Sequence, residues 1–266
     1  MVNQLAMVAM GVSIALMVGL SIFAFVKYRK KGFVISAILW GIGAFFVYNA
    51  IGNLLNSVLV GAIFGTPEAY TEFIEQSTFA TGFYTALIAT ISFMATTIII
   101  TFIQHKRGNV NEDTGEMTGV FAGLFSWINP IQGSLFYFVN MLMYSFAINS
   151  GESIAEVSET VTQEQIDRVV QTIIETPATT YITLALMYIT LLFMYRLAFK
   201  LIDKSFAGKQ KVGINIAITA VLFFVAYLGL QFLTLSSVPP VISIIGVILL
   251  AVLVLYVSDK ATFLRV

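Results

Sequence analysis

The stretch GVFAGLFSWINPIQGSLFYFVNMLMYSFAINSG, residues 119–151, carries no charged side chain. A helix needs about 20 apolar residues to cross the ~30 Å hydrocarbon core of a bilayer, so this run is long enough to cross it. Asn129-Pro130 stand near its middle, where proline removes one helical hydrogen bond and crowds the preceding turn. The expectation is a crossing over residues 118–148, kinked at Asn129-Pro130 or broken there into two half-helices. Lipid offers no partner to the freed backbone groups, so this segment should face the bundle interior.

Six further apolar runs flank it, at about residues 5–26, 34–64, 80–102, 181–199, 212–233 and 241–257. With 58% hydrophobic and 11% charged residues, the 266-residue chain cannot be a water-soluble globule, which carries about 25% charge. The reading is an all-α polytopic membrane protein with seven transmembrane helices, forming one domain over residues 1–266. The run at 34–64 exceeds one crossing, and tilt, a kink at Gly41 to Gly43, or extension beyond the lipid would absorb the excess.

Charge sets the orientation. Lys27, Arg29, Lys30 and Lys31 follow the first run, Lys106 and Arg107 the third, Lys200, Lys204, Lys209 and Lys211 the fifth, and Lys260 and Arg265 the seventh. Basic residues gather on the cytoplasmic face, which places the N-terminus outside and the C-terminus inside. The connections at 65–78 and 149–179 are then external, and both are acidic. Within the second, Ile166, Val169, Val170, Ile173 and Ile174 recur at helical spacing. Thr162 and Gln165 have capping-box spacing. This predicts an external amphipathic helix over 162–175, with Glu164, Asp167, Arg168 and Glu175 as a partner-binding surface.

The mid-membrane positions hold no Asp, Glu, Lys or His, and Arg196 is near enough to the inner edge to snorkel. Proton-coupled carriers usually place ionisable relays in their spans, which argues against that class. They hold amides instead: Asn49, Asn53 and Asn56 on one face of the second run, with Asn129, Gln132 and Asn140 in the fourth. These six make a candidate polar pocket, while amide bonding between helices explains such residues equally simply. Gly115, Gly119 and Gly123 form a small-residue ladder for close helix contact. There is no cysteine, and His105 is the sole histidine, so neither a catalytic nor a metal site is expected, and no cofactor. The zero net charge gives no reason to expect a nucleic-acid partner.

The stretch at 119–151, together with GLSIFAFVKYRKKGFVISAILWGIGAFFVYNAI at 19–51, resembles the YhfC-type membrane proteins, a family assigned as intramembrane metalloproteases and distantly similar to the prenyl-protein (CAAX) proteases. That family carries a paired glutamate followed by arginine in its third span, and a histidine with glutamate four positions on in its fourth. Here the corresponding positions are Thr85, Ala86, Ala89, Ile128 and Gln132, and none can ligate a metal as those groups do. The resemblance therefore implies a catalytically dead relative in a bacterial plasma membrane. The leading expectation is a non-catalytic scaffold, embedded in membrane lipid, that binds a protein partner as regulator, complex subunit or toxin immunity factor. The alternatives are a carrier or channel for an uncharged or lipid-like solute, and a residual intramembrane peptidase.

Overall fold

The computed structural model describes residues 1–29, 35–108, 113–129, 133–151, 163–208, 211–234 and 238–260. Among these residues every regular element is a helix. In chain order they are α1 (Gln4–Arg29), α2 (Ile35–Leu59, continued by a π-helical turn Val60–Phe64), α3 (Pro67–Gln76), α4 (Thr78–Arg107) and α5 (Thr114–Ile128). Then follow α6 (Ser134–Ser150), α7 (Gln163–Glu175), α8 (Ala178–Phe206), α9 (Val212–Leu233) and α10 (Pro240–Lys260). Six of them are long and apolar enough to cross a membrane: α1, α2 with its π turn, α4, α8, α9 and α10. This is the pattern of a multi-pass membrane protein.

The proline-containing run is two helices. α5 has 15 residues and α6 has 17; at 1.5 Å per residue each is about 22 to 26 Å long, short of a ~30 Å core. Asn129 ends α5 and Gly133 precedes α6, each with ψ in the extended range. Pro130, Ile131 and Gln132 lie outside the described residues. The chain closes on itself across the break, because the Gly133 N–H donates to the Asn129 carbonyl at 2.8 Å. A Cβ at position 133 would meet the main-chain oxygens of Trp127 and Asn129, so only glycine fits there.

α5 is the central strut. Gly115, Gly119 and Gly123 all face α8, meeting Asp203, the Tyr195 carbonyl and Leu192 respectively. The small-residue ladder therefore joins two helices of the same chain. In lipid, where association rests on packing and hydrogen bonds, bare backbone at every fourth position is what lets two helices approach this closely. On its other side α5 receives α2, whose Gly41 sits against the backbone of Phe121 and Ala122. The core follows this strut: Phe93, Met117, Leu124, Trp127, Phe199 and Leu201 are all fully buried.

Two connections differ from a plain loop reading. Residues 67–76, taken as an acidic loop, form α3. Thr66 caps it, its Oγ1 accepting from the Ala69 N–H at 3.3 Å, and Pro67 opens the first turn. Rings of Phe64, Tyr70, Phe73 and Tyr84 then hold the short helix on the bundle. The expected amphipathic helix is α7, although Thr162 lies outside the described residues. Its apolar face is seated on protein: Ile166 packs with Ala147 of α6, and Ile173 belongs to the main core.

Side-chain bonds tie helix ends together at both ends of the bundle. At one end of the bundle, the Asn149 side chain of α6 clasps residue 2, accepting from the Val2 N–H at 2.7 Å and donating to the Val2 carbonyl at 3.2 Å. At the opposite end, Glu116 in the first turn of α5 bonds Tyr28 of α1 and Arg196 of α8, Arg196 also bonds Asp259 of α10, and His105 of α4 meets Asp203 of α8.

Candidate functional site

Two adjoining cavities of about 220 Å³ each open between α2 and its neighbours. Asn49 lies midway along α2, and the 3.6-residue repeat puts Asn53 and Asn56 on the same face, one and two turns further on. All three line the first cavity, facing Tyr84, Thr85, Ala89 and Ser92 of α4, Tyr70 of α3 and Tyr227 of α9. Tyr48, Asn49 and Tyr227 are shared with the second cavity, which continues toward the helix break and ends at Ser126 of α5 and Ser134 of α6. Phe45, Tyr188, Leu191, Tyr195 and Phe223 complete its wall.

Hydrogen bonding distinguishes the three amides. Asn49 Nδ2 donates to the Phe45 carbonyl of its own helix at 2.9 Å, and Asn56 Oδ1 accepts from the Tyr84 hydroxyl at 3.2 Å. Asn53 is exposed on the wall and makes no side-chain hydrogen bond among the described residues. The Ser92 hydroxyl is satisfied by the Ile88 carbonyl at 2.7 Å. No charged side chain lines either cavity among the described residues. The arrangement presents neutral donors and acceptors on one wall and aromatic rings on the others. It can orient an uncharged ligand by hydrogen bonds.

The remaining sequence candidates are placed as follows. Thr85 and Ala89 line the amide cavity, Ala86 is fully buried beside it, and Ile128 is exposed. Asn129 is buried at the end of α5 but lines neither cavity, and Gln132 lies outside the described residues. Asn140 is exposed on α6 and is not part of the pocket. The cause is angular: Phe138 points into the core, and two residues on the helix turns by about 200°. On α7, Asp167, Arg168 and Glu175 are exposed, away from the seam with α6. Glu164 belongs to α7, its side chain lying outside what is described.

What residue-type reasoning missed is the tyrosine wall and a second polar centre. Tyrosine mid-span is unusual, because the ring favours the membrane interface. The signal was present in Tyr48 beside Asn49, and in Tyr188 and Tyr195, seven residues apart on one face of α8.

The second centre lies at the end of the bundle that carries the basic residues. Glu116 is buried in the first turn of α5. Its Oε1 accepts from the Tyr28 hydroxyl at 2.7 Å and from Arg196 Nε at 2.9 Å, and Lys200 Nζ stands 3.7 Å from Oε2. Arg196 Nη2 reaches Asp259 Oδ1 at 2.9 Å, and Lys200 donates to the Ser258 carbonyl at 2.7 Å. Beside this cluster His105 Nε2 lies 2.7 Å from Asp203 Oδ1. Buried charge of this kind requires partners, and here they come from α1, α5, α8 and α10. Arg196 therefore links a buried acid, Glu116, to an exposed one, Asp259. No three of the described His, Asp and Glu side chains are grouped to hold a metal ion. No family model matches this chain, and no curated protein or solved structure matches it.

Proposed function

We propose that the protein binds an uncharged or lipid-like solute in the amide and tyrosine cavity and acts as its carrier or channel in a bacterial plasma membrane. The observation that carries this reading is that Asn49, Asn53 and Asn56 face open volume together with four tyrosines. Amides serving only as glue between helices would be paired across a dry contact, and an amide left facing hydrocarbon costs free energy unless something polar meets it. The topology that accompanies the reading has seven crossings, with α5 and α6 together forming the fourth. The N-terminus is outside and the C-terminus inside, since the basic ends of α1, α4, α8 and α10 all lie at one end.

A protein-binding scaffold is the second reading, favoured by Asp167, Arg168 and Glu175 standing exposed on α7 while Ile166 and Ile173 pack inward. For a peptidase role, no acid or imidazole lines the cavity wall among the described residues.

Thermal unfolding of the purified chain in lipid nanodiscs, screened against neutral solutes, tests the proposal. Wild type should gain stability with at least one solute, by the mass-action law for a ligand that binds only the folded state. Asn53→Leu should fold normally, because position 53 is exposed, and should lose that gain. Equal gains in wild type and Asn53→Leu would remove the cavity from the explanation.

A further inference from the structure

The second cavity has a chemical direction that the amide row lacks. At its inner end stands the N-terminus of α6, whose N-cap residue Gly133 supplies no side chain to the first-turn N–H groups. These groups carry partial positive charge and want an acceptor. Ser134 lines the cavity at this point. It is 5% exposed, and its Oγ has no hydrogen-bond partner among the described residues. The neighbouring Ser126 is not in that state, since its hydroxyl donates to the Gly123 carbonyl at 2.6 Å. A buried hydroxyl without a partner is costly, and Ser134 stands in the same first turn as those N–H donors. The inner end therefore calls for an electron-rich oxygen.

The remaining wall says what that oxygen is attached to. Phe45, Tyr48, Tyr188, Tyr195, Phe223 and Tyr227 surround the space. Phe223 and Tyr227 lie nearly parallel at 5.9 Å, while Tyr48 stands edge-on to Tyr195 at 6.4 Å. Rings so arranged favour a flat ligand by offset or edge-on contact. With no cation in the lining, a full negative charge would enter the bundle uncompensated, which membrane interiors penalise. A carbonyl satisfies the donors without that penalty.

Resting on the solute-binding reading above, we infer that the cavity at the α5–α6 break receives a planar, uncharged ring carbonyl, the chemical class of quinone headgroups. Its oxygen accepts from the Ser134 hydroxyl and the first-turn N–H groups of α6. The adjoining amide cavity, with Asn53 exposed on its wall, gives a tail or substituent a way out.

Isothermal titration of the full chain in nanodiscs with menadione as the probe tests this. Wild type should bind one equivalent saturably. Ser134→Ala should weaken binding about tenfold, the effect of one lost hydrogen bond in a low-dielectric site. Leu191→Trp, which fills the same cavity, should abolish binding, while Gly43→Ala, where an added Cβ meets nothing within 4 Å, should leave it unchanged. Naphthalene binding as tightly as menadione, with no effect of Ser134→Ala, would overturn the inference in favour of a merely apolar void. Benzoate binding more tightly than menadione would overturn it in favour of an anion site. If neutral solutes stabilise the protein in an Asn53-dependent way while menadione does not bind, the ring-carbonyl assignment falls alone. If no neutral solute stabilises it either, the solute-binding reading falls with it.

Discussion

Glu116→Ala is expected to destabilise the protein by about 3–5 kcal/mol, the range for removing one partner from a buried ion pair. The carboxylate is 6% exposed and holds Tyr28, Arg196 and Lys200. Without it, a guanidinium and an ammonium remain within the bundle, with Asp259, whose side chain is 60% exposed, and the Ser258 carbonyl among their remaining partners. The loss comes mainly from stranding those cations, so the effect should be strongly non-additive. Glu116→Leu combined with Arg196→Leu should recover more than half of what Glu116→Ala loses, whereas Tyr28→Phe alone should cost about 1 kcal/mol. Unfolding titrations in mixed micelles measure all three. Additive losses in the double variant would show that the cluster does not act as a unit.

Gly119→Val should be comparably severe for a steric reason. A Cβ at position 119 would fall 2.5 Å from the Tyr195 carbonyl oxygen and 2.9 Å from its carbon. Both are backbone atoms of α8 that cannot rotate away. The two helices would have to separate along the whole ladder, also loosening Gly115 from Asp203 and Gly123 from Leu192. Overpacking a tight interior typically costs 1–3 kcal/mol and sometimes more; here about 3 kcal/mol is expected, seen as loss of the monodisperse peak in detergent size exclusion. Gly43→Ala is the matched control, since a Cβ there meets nothing within 4 Å and alanine favours helix by about 1 kcal/mol. Equal behaviour of the two variants would refute the close-contact account of α5 and α8.

The legible part of this protein was the part governed by period and hydropathy. The run expected at 212–233 coincides with α9, and the run at 241–257 lies within α10. The amphipathic spacing from Ile166 to Ile174 marked α7 for the same reason. Asn49, Asn53 and Asn56 could be put on one face because a single helix carries them. Illegible were the features that depend on which helix stands opposite. Tyr84 and Tyr227 reach the amides from α4 and α9, and no local pattern joins residues so far apart in sequence. Glu116 looked like part of a polar turn because its neighbours are polar and glycine-rich. It is buried because Arg196, 80 positions later, comes to meet it. Asn140 failed the other way, its depth in the run being legible but not the face it occupies.

The tie formed by Tyr28, Glu116, Arg196 and Asp259 gives the molecule an uneven stiffness. Four helices, α1, α5, α8 and α10, are riveted at one rim by charge-assisted bonds, while the amide cavity is walled by other helices, α2, α3, α4 and α9, which meet there through rings and neutral contacts. Amide hydrogen exchange should accordingly be slowest around Arg196 and fastest in the outer turns of α2 and α4, so that the widening needed to admit a guest requires no rupture of the ionic joint.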